Sequence, residues 1–318
     1  MTSPTQPEYQ GRRLPRPEEE LVDQGLGFDV GTLLSRRNVL TVLGFGAVSF
    51  GLAACSPSGS GATSGASAAT TGLSEIPEET AGPYPGDGSN GADVLEQSGI
   101  IRSDIRSSFG TSTTTAEGVP MTLKLNIFDL AQDGAPFEGV AVYVWHCDRD
   151  GNYSMYSTGV EDENYLRGAQ VTDASGNVTF TSIFPACYTG RWPHIHFEVY
   201  PDAESITDST NAIATSQVAL PQDWCEKVYA TNGYDQSVRN LAQVSLTTDN
   251  VFSDDSGASQ LGTVTGSIEG GLTVTLDVGV DTTTAAGGGG SAPADGQGGG
   301  PGGTPPTDGP GGTPPADG

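Results

Sequence analysis

The sequence predicts an all-β fold, an antiparallel β-sandwich with a few short helices and long loops. Three observations carry that expectation. Short stretches alternate apolar and polar residues with period two, turn signals rich in Asp, Asn and Gly separate them, and helical periodicity is scarce. Met121–Phe128 alternates through most of its length, as a strand does when successive side chains face opposite sides of a sheet. Val140–Trp145 is apolar throughout, as expected of a strand covered on both faces. Val178–Ile183 and Ile195–Tyr200 return to period two, and Asp133-Gly134, Asp150-Gly151-Asn152 and Ser175-Gly176-Asn177 fall between the strands as turns. Thr263–Ile268 and Leu272–Val278 flank Glu269-Gly270-Gly271 as a late hairpin. Two short helices are expected, over Asp223–Ala230 after Pro221 and over Gln236–Ala242.

The 46 glycines and 21 prolines are concentrated toward the ends, which confines the regular apolar spacing to residues 76–280, long enough for one domain with a sizeable core. Residues 1–55 read as an export signal. Arg36-Arg37 precedes the apolar run Val39–Ala54, which resembles a twin-arginine signal, and Leu52-Ala53-Ala54-Cys55 resembles a lipobox whose Cys55 is acylated after cleavage. The run is too short and too rich in Gly for a good membrane span, so the membrane is expected to be met only through a lipid anchor. Residues 56–75 read as a flexible Ser/Gly/Ala linker, and residues 281–318 as a Gly/Pro-rich tail that cannot form a core; the tail closes on two nine-residue units, Pro301–Gly309 and Pro310–Gly318. The expected destination is the cell envelope, as a lipoprotein, or the exterior.

Lys and Arg total 13 against 39 Asp and Glu. Residues 1–54 hold five of the former and six of the latter, leaving 8 against 33 beyond them. A surface of that sign repels phosphates, which argues against a nucleic-acid partner.

The chain has only three histidines, and two of them are His194 and His196 in Arg191-Trp192-Pro193-His194-Ile195-His196. On a strand, residues two apart face the same side, so both imidazoles can converge on one metal. His146, after Trp145 on another strand, leaves a three-histidine zinc or copper site open. So does a non-catalytic β-sandwich binding module on the envelope, which would hold no stoichiometric metal.

Other residues join the pair in a fixed order. Trp145, Gly151-Asn152-Tyr153, Tyr188, Arg191 and His194-Ile195-His196 together resemble the intradiol ring-cleavage dioxygenases, in particular a secreted branch with a Trp-His-Cys strand. Glu79-Thr80-Ala81-Gly82-Pro83-Tyr84 is similar to a segment near the start of that family's domain, so the resemblance runs over residues 76–280. The spacing from Tyr188 to His194 is shorter here than in the family's cytoplasmic members.

The resemblance implies a non-haem Fe(III) ion bound by Tyr153, Tyr188, His194 and His196, with Tyr153 and His194 equatorial and Tyr188 and His196 axial. It also implies a catechol-type substrate opened by dioxygen to a cis,cis-muconate, and a homo-oligomer. Arg191 takes a catalytic role beside the reacting carbons and Tyr188 one in proton handling, while Tyr84, Arg191 and Trp192 contact substrate. The donor types suit the ion: ferric iron is a hard acid that favours phenolate oxygen, and two phenolates, two neutral imidazoles and a hydroxide leave it formally neutral. His146 is unused by the family pattern.

With Cys55 given to lipid, three cysteines remain outside the cytoplasm. A Cys187–Cys225 disulfide is the expected pairing, fastening the Tyr188 loop to the helix near Asp223 and leaving Cys147 buried and reduced; Cys147 with Cys187 is the rival.

Overall fold

A computed structural model describes residues 8–9, 12–13 and 72–286. Residues 1–65 form a unit of their own, in which Glu8–Tyr9 pairs antiparallel with Arg12–Arg13. Arg36-Arg37, the apolar run after it, Cys55 and most of the linker and tail lie outside the described residues.

The remaining body is built on two sheets. Its strands are β1 (Pro120–Asp129), β2 (Ala135–Pro136), β3 (Ala141–Trp145), β4 (Arg167–Val171), β5 (Asn177–Ile183), β6 (His194–Tyr200), β7 (Ala214–Ala219), β8 (Thr263–Ser267) and β9 (Gly271–Val280). Helices α1 (Gln222–Tyr229) and α2 (Asp235–Leu241) follow β7. The first sheet runs β8–β9–β1, with β2 and β5 both paired to the far side of β1; the second runs β4–β3–β6–β7.

Alternation decides which face of each strand is buried. Met121, Leu123, Leu125 and Ile127 of β1 meet Val142 and Val144 of β3 and Ile195, Phe197 and Val199 of β6 in one core between the sheets. The other face of β3 and β6 is covered too. Tyr143, Trp145 and Tyr200 pack beneath Ala81, Val94, Leu95 and Ile100 of the segment that precedes β1, and against Tyr153 from the long β3–β4 connection. This explains why β3 is apolar on both sides, and it creates a second, aromatic layer.

The sandwich departs from the expected all-antiparallel pairing at one place: β9 lies parallel to β1, with Leu272 beside Met121 and Val280 beside Asp129. The late hairpin fixes this, since β8 and β9 are antiparallel to each other and only β9 reaches β1.

Candidate active site

The register of the second sheet lines up one row of side chains. Trp145 of β3 lies opposite His196 of β6, and His196 lies opposite Gln217 of β7. Opposed residues share a face, so His194, His196, Trp145 and Gln217 all project into the aromatic layer. The His196 ring stacks on Trp145 with centroids 4.9 Å apart and planes 7° from parallel, and Trp145 stacks in turn on Tyr143 at 5.0 Å. Gly82 crosses above: a Cβ added there would stand 3.3 Å from His196 Cε1, so only glycine lets the segment pass this close.

Two loops deliver the phenols. Tyr153 follows the turn in which Asp148 accepts the backbone N–H of Asp150 and Asn152, and Gly151 adopts φ 91°. Tyr188 lies midway along the β5–β6 connection. That connection is pinned by α2, whose Ser237 hydroxyl accepts the Cys187 N–H at 3.0 Å and whose Asn240 amide donates to Cys187 O at 2.8 Å.

The four expected ligands come together. His194 Nε2 lies 3.0 Å from His196 Nε2 and 3.3 Å from the Tyr188 hydroxyl, and the Tyr153 ring meets those of Tyr188 and His196 edge-on. His194 Nδ1 donates to Trp192 O, which leaves its Nε2 as a lone pair turned toward the others. The Tyr153 hydroxyl is buried with no hydrogen-bond partner, which costs about 1–3 kcal/mol unless something binds there; His196 Nδ1 is also buried without a partner, but it is the nitrogen turned away from His194 Nε2. Burial pushes the phenols up, Tyr188 to about 12 and Tyr153 well above its ordinary value, and pushes the imidazoles down, His194 to about 3 and His196 well below its ordinary value. With no cation present, all four donors are neutral at pH 7.

These residues fit a metal ion. Two nitrogens ~2.1 Å from one ion at a right angle stand ~3 Å apart, as the two Nε2 atoms do. Among the described residues no three His, Cys, Asp or Glu side chains gather as a metal site, so the phenols are needed to complete a donor set, and phenolate oxygen selects a hard, highly charged ion such as Fe(III). His146 belongs elsewhere. Its Nδ1 donates to Cys147 O and its Nε2 accepts from Ser182 on β5, both at 2.7 Å, so neither nitrogen remains for a three-histidine site.

Arg191 forms an ion pair with the fully buried Asp249, Nε to Oδ2 3.0 Å, and its Nη2 donates to Gln217 Oε1 at 2.6 Å. Nη1 is not used by these contacts. Asp249 also accepts the N–H groups of Trp192, Val251 and Phe252, so one carboxylate sets both the guanidinium and the turn before His194. Tyr84 lies over the site, its ring 4.9 Å from Tyr153 and 5.3 Å from Tyr156. Trp192, expected to contact substrate, is accounted for by packing instead: it clusters with Ala219, Val251 and Phe252 and donates its indole N–H to Leu220 O.

The expected Cys187–Cys225 disulfide is not formed. Cys147, Cys187 and Cys225 are all free and buried, their sulfurs set against the carbonyls of Ala186, Arg191 and Leu220 respectively. The Tyr188 loop is held by α2 hydrogen bonds rather than by a covalent link to α1.

Sequence reasoning missed Asp249, Gln217 and Arg167. Asp249 and Gln217 lie 58 and 26 residues from Arg191, with no motif to join them. Arg167 spends all five of its N–H donors on Ser154 Oγ and O, Pro85 O, Tyr84 O and the Tyr143 hydroxyl, tying the Tyr84 segment to the Tyr153 turn.

A family model described as "Dioxygenase" matches residues 102–207. Chlorocatechol 1,2-dioxygenase of Rhodococcus opacus is 42% identical over 55 residues, 17% of this chain and 21% of its own length. Catechol 1,2-dioxygenase 1 of Acinetobacter lwoffii is 30% identical over 119 residues, 31% of this chain and 37% of its own. The chain thus spans well under half the length of these curated relatives. In structure, an intradiol ring-cleavage dioxygenase from Tetranychus urticae superposes with a TM-score of 0.55 at 24% identity, covering 68% of this chain and 98% of that one, a likeness of fold.

Proposed function

We propose that this chain, whose residues 102–207 match a dioxygenase family model, is an intradiol ring-cleavage dioxygenase that opens catechol-type aromatics between their two hydroxyl-bearing carbons with dioxygen. Both oxygen atoms enter the product, a cis,cis-muconate. Tyr153, Tyr188, His194 and His196 would hold a non-haem Fe(III) ion, which when bound supplies the Lewis acidity that ionises phenols and catechol hydroxyls. The observation that carries this reading is the convergence of His194, His196 and Tyr188 within 3.3 Å beside the unpartnered Tyr153 hydroxyl.

The chain's own groups divide the remaining work. Tyr188 is the less buried phenol and lies on the loop side; ionised when a cation is held there, it would take up a proton at its oxygen as the catechol binds. Arg191, held by Asp249, offers a fixed positive charge where anionic oxygen develops. Tyr84 and Tyr156 cover the site and limit water, while the Trp145–His196 stack fixes the imidazole plane.

Visible spectroscopy of iron-loaded protein tests the ligand set. A broad tyrosinate-to-iron band that shifts when catechol is added anaerobically, and is altered in both Tyr153→Phe and Tyr188→Phe, is the expected outcome. A colourless protein that takes up no iron would overturn the reading.

Export through the Arg36-Arg37 signal and anchoring through acylated Cys55 belong to the same proposal. They are supported by the sequence pattern. Cys55→Ala should move the protein from the membrane fraction to the soluble fraction.

A further inference from the structure

A substituted catechol can carry its substituent charge into the site only if the protein answers that charge. Between residues 72 and 286 there are eight Lys and Arg residues, and the structure commits those nearest the site. Arg167 is 1% exposed and has every N–H donor satisfied by hydroxyl and carbonyl oxygens. Arg191 is paired with Asp249 and Gln217. Arg149, beside the Tyr153 turn, is paired with Glu117 at 2.5 Å. Lys124 is exposed on β1, in the sheet that does not carry the site.

One acid remains beside the site. Glu79 leads the segment that crosses His196 at Gly82; it is half-buried, accepts from Gln260, and lies in electrostatic reach of Asp254 as well as of Arg191 and Asp249, and burial pushes its carboxyl up to about 7, so it is anionic above that pH.

We propose that this site, read as a catechol-cleaving one, selects catechols whose ring substituents are uncharged or cationic and discriminates against carboxylated catechols. A substrate carboxylate would lose water without gaining a cation and would face the Glu79 side of the site, and like-charge juxtaposition in a partly desolvated site is strongly unfavourable. Of the donors on Arg167 and Arg191, those left over are on Arg191 Nη1, and the proposed reaction uses that charge at the ring itself.

The test compares 3,4-dihydroxybenzoic acid with 3,4-dihydroxybenzamide, which share ring geometry and a withdrawing substituent and differ in charge. With the iron-loaded full chain at about pH 8, where Glu79 is ionised, kcat/KM for the acid should be lower by at least about tenfold at ~0.05 M salt, and the gap should narrow several-fold at ~0.5 M, where that charge is screened. Glu79→Gln should narrow it at low salt, and the salt comparison on the unaltered protein decides the matter if that variant does not fold. Equal kcat/KM for acid and amide, flat in salt, would overturn the inference and leave the dioxygenase reading standing. If neither they nor catechol itself is cleaved, the dioxygenase reading fails first and takes this inference with it.

Discussion

His146 shows how a single side chain can be conspicuous in the sequence and still stand outside the chemistry. Its two nitrogens are consumed by Cys147 O and Ser182 Oγ, and burial lowers its pKa from 6.5 to about 4. The unfolded chain therefore binds a proton between those values where the folded one does not, so stability is full above pH 6.5 and is lost as the pH falls toward 4. About 3 kcal/mol is at stake over that window. Urea midpoints measured against pH should fall less steeply in His146→Gln than in the unaltered protein. Asp249 is the opposite case, silent in sequence and central in structure. Asp249→Asn leaves Arg191 buried without its counter-charge, and a loss of about 3 kcal/mol is expected in denaturant titrations, with kcat/KM reduced as well.

Among the elements, those with a pattern dictated by one buried face were legible. β1, β3, β5, β6 and the β8–β9 hairpin fall where alternation or unbroken apolarity put them, and α1 and α2 differ from expectation by a residue at each end. β4 and β7 were not legible. β7 reads Ala-Thr-Ser-Gln-Val-Ala, and its Thr215, Ser216 and Gln217 are buried polar residues, so the alternation a sequence reader relies on is absent. Those polar groups are spent on the site's surroundings: Gln217 bridges Arg191 and Thr80 O, and Ser216 bonds Pro77 O. The metal-ligand candidates were legible because their order and residue types are unusual together, whereas their supports are ordinary residues made neighbours only by folding. The turn carrying Tyr153 offers a test at this scale. Gly151→Ala would place a Cβ 3.3 Å from Tyr188 Cβ at a φ of 91°, and about 1–3 kcal/mol of destabilisation is expected, read as a lowered melting temperature. The tyrosinate band should move with it. Asn240→Ala should cost about 1–2 kcal/mol through the unsatisfied Cys187 carbonyl and lower kcat by loosening the Tyr188 loop.

For the whole molecule, the two faces of the second sheet divide the labour. The inner face is an aliphatic core shared with the first sheet, and the outer face is an aromatic layer closed by the segment before β1. Arg167 joins that covering segment to the Tyr153 turn through Tyr84 O, Pro85 O and Ser154 O. Arg167→Lys, with three donors for five acceptors, should raise KM for catechol more than it lowers kcat, because the cover is displaced while the ligand set stays.

The parallel contact between β1 and β9 has a consequence for how the chain comes to exist. β1 is the hub of its sheet, and one of its long sides is paired only by residues 271–280. Until that stretch has left the ribosome, the nascent domain presents an open strand edge above a half-made core, the kind of surface that recruits other strands. Folding thus waits on a contact between distant parts of the chain, which places it among slow, topology-limited folders. A chain cut short before Gly271 would lack the strand that pairs this side of β1, and it is expected to remain unfolded or to aggregate, which a circular-dichroism melt of such a truncation checks.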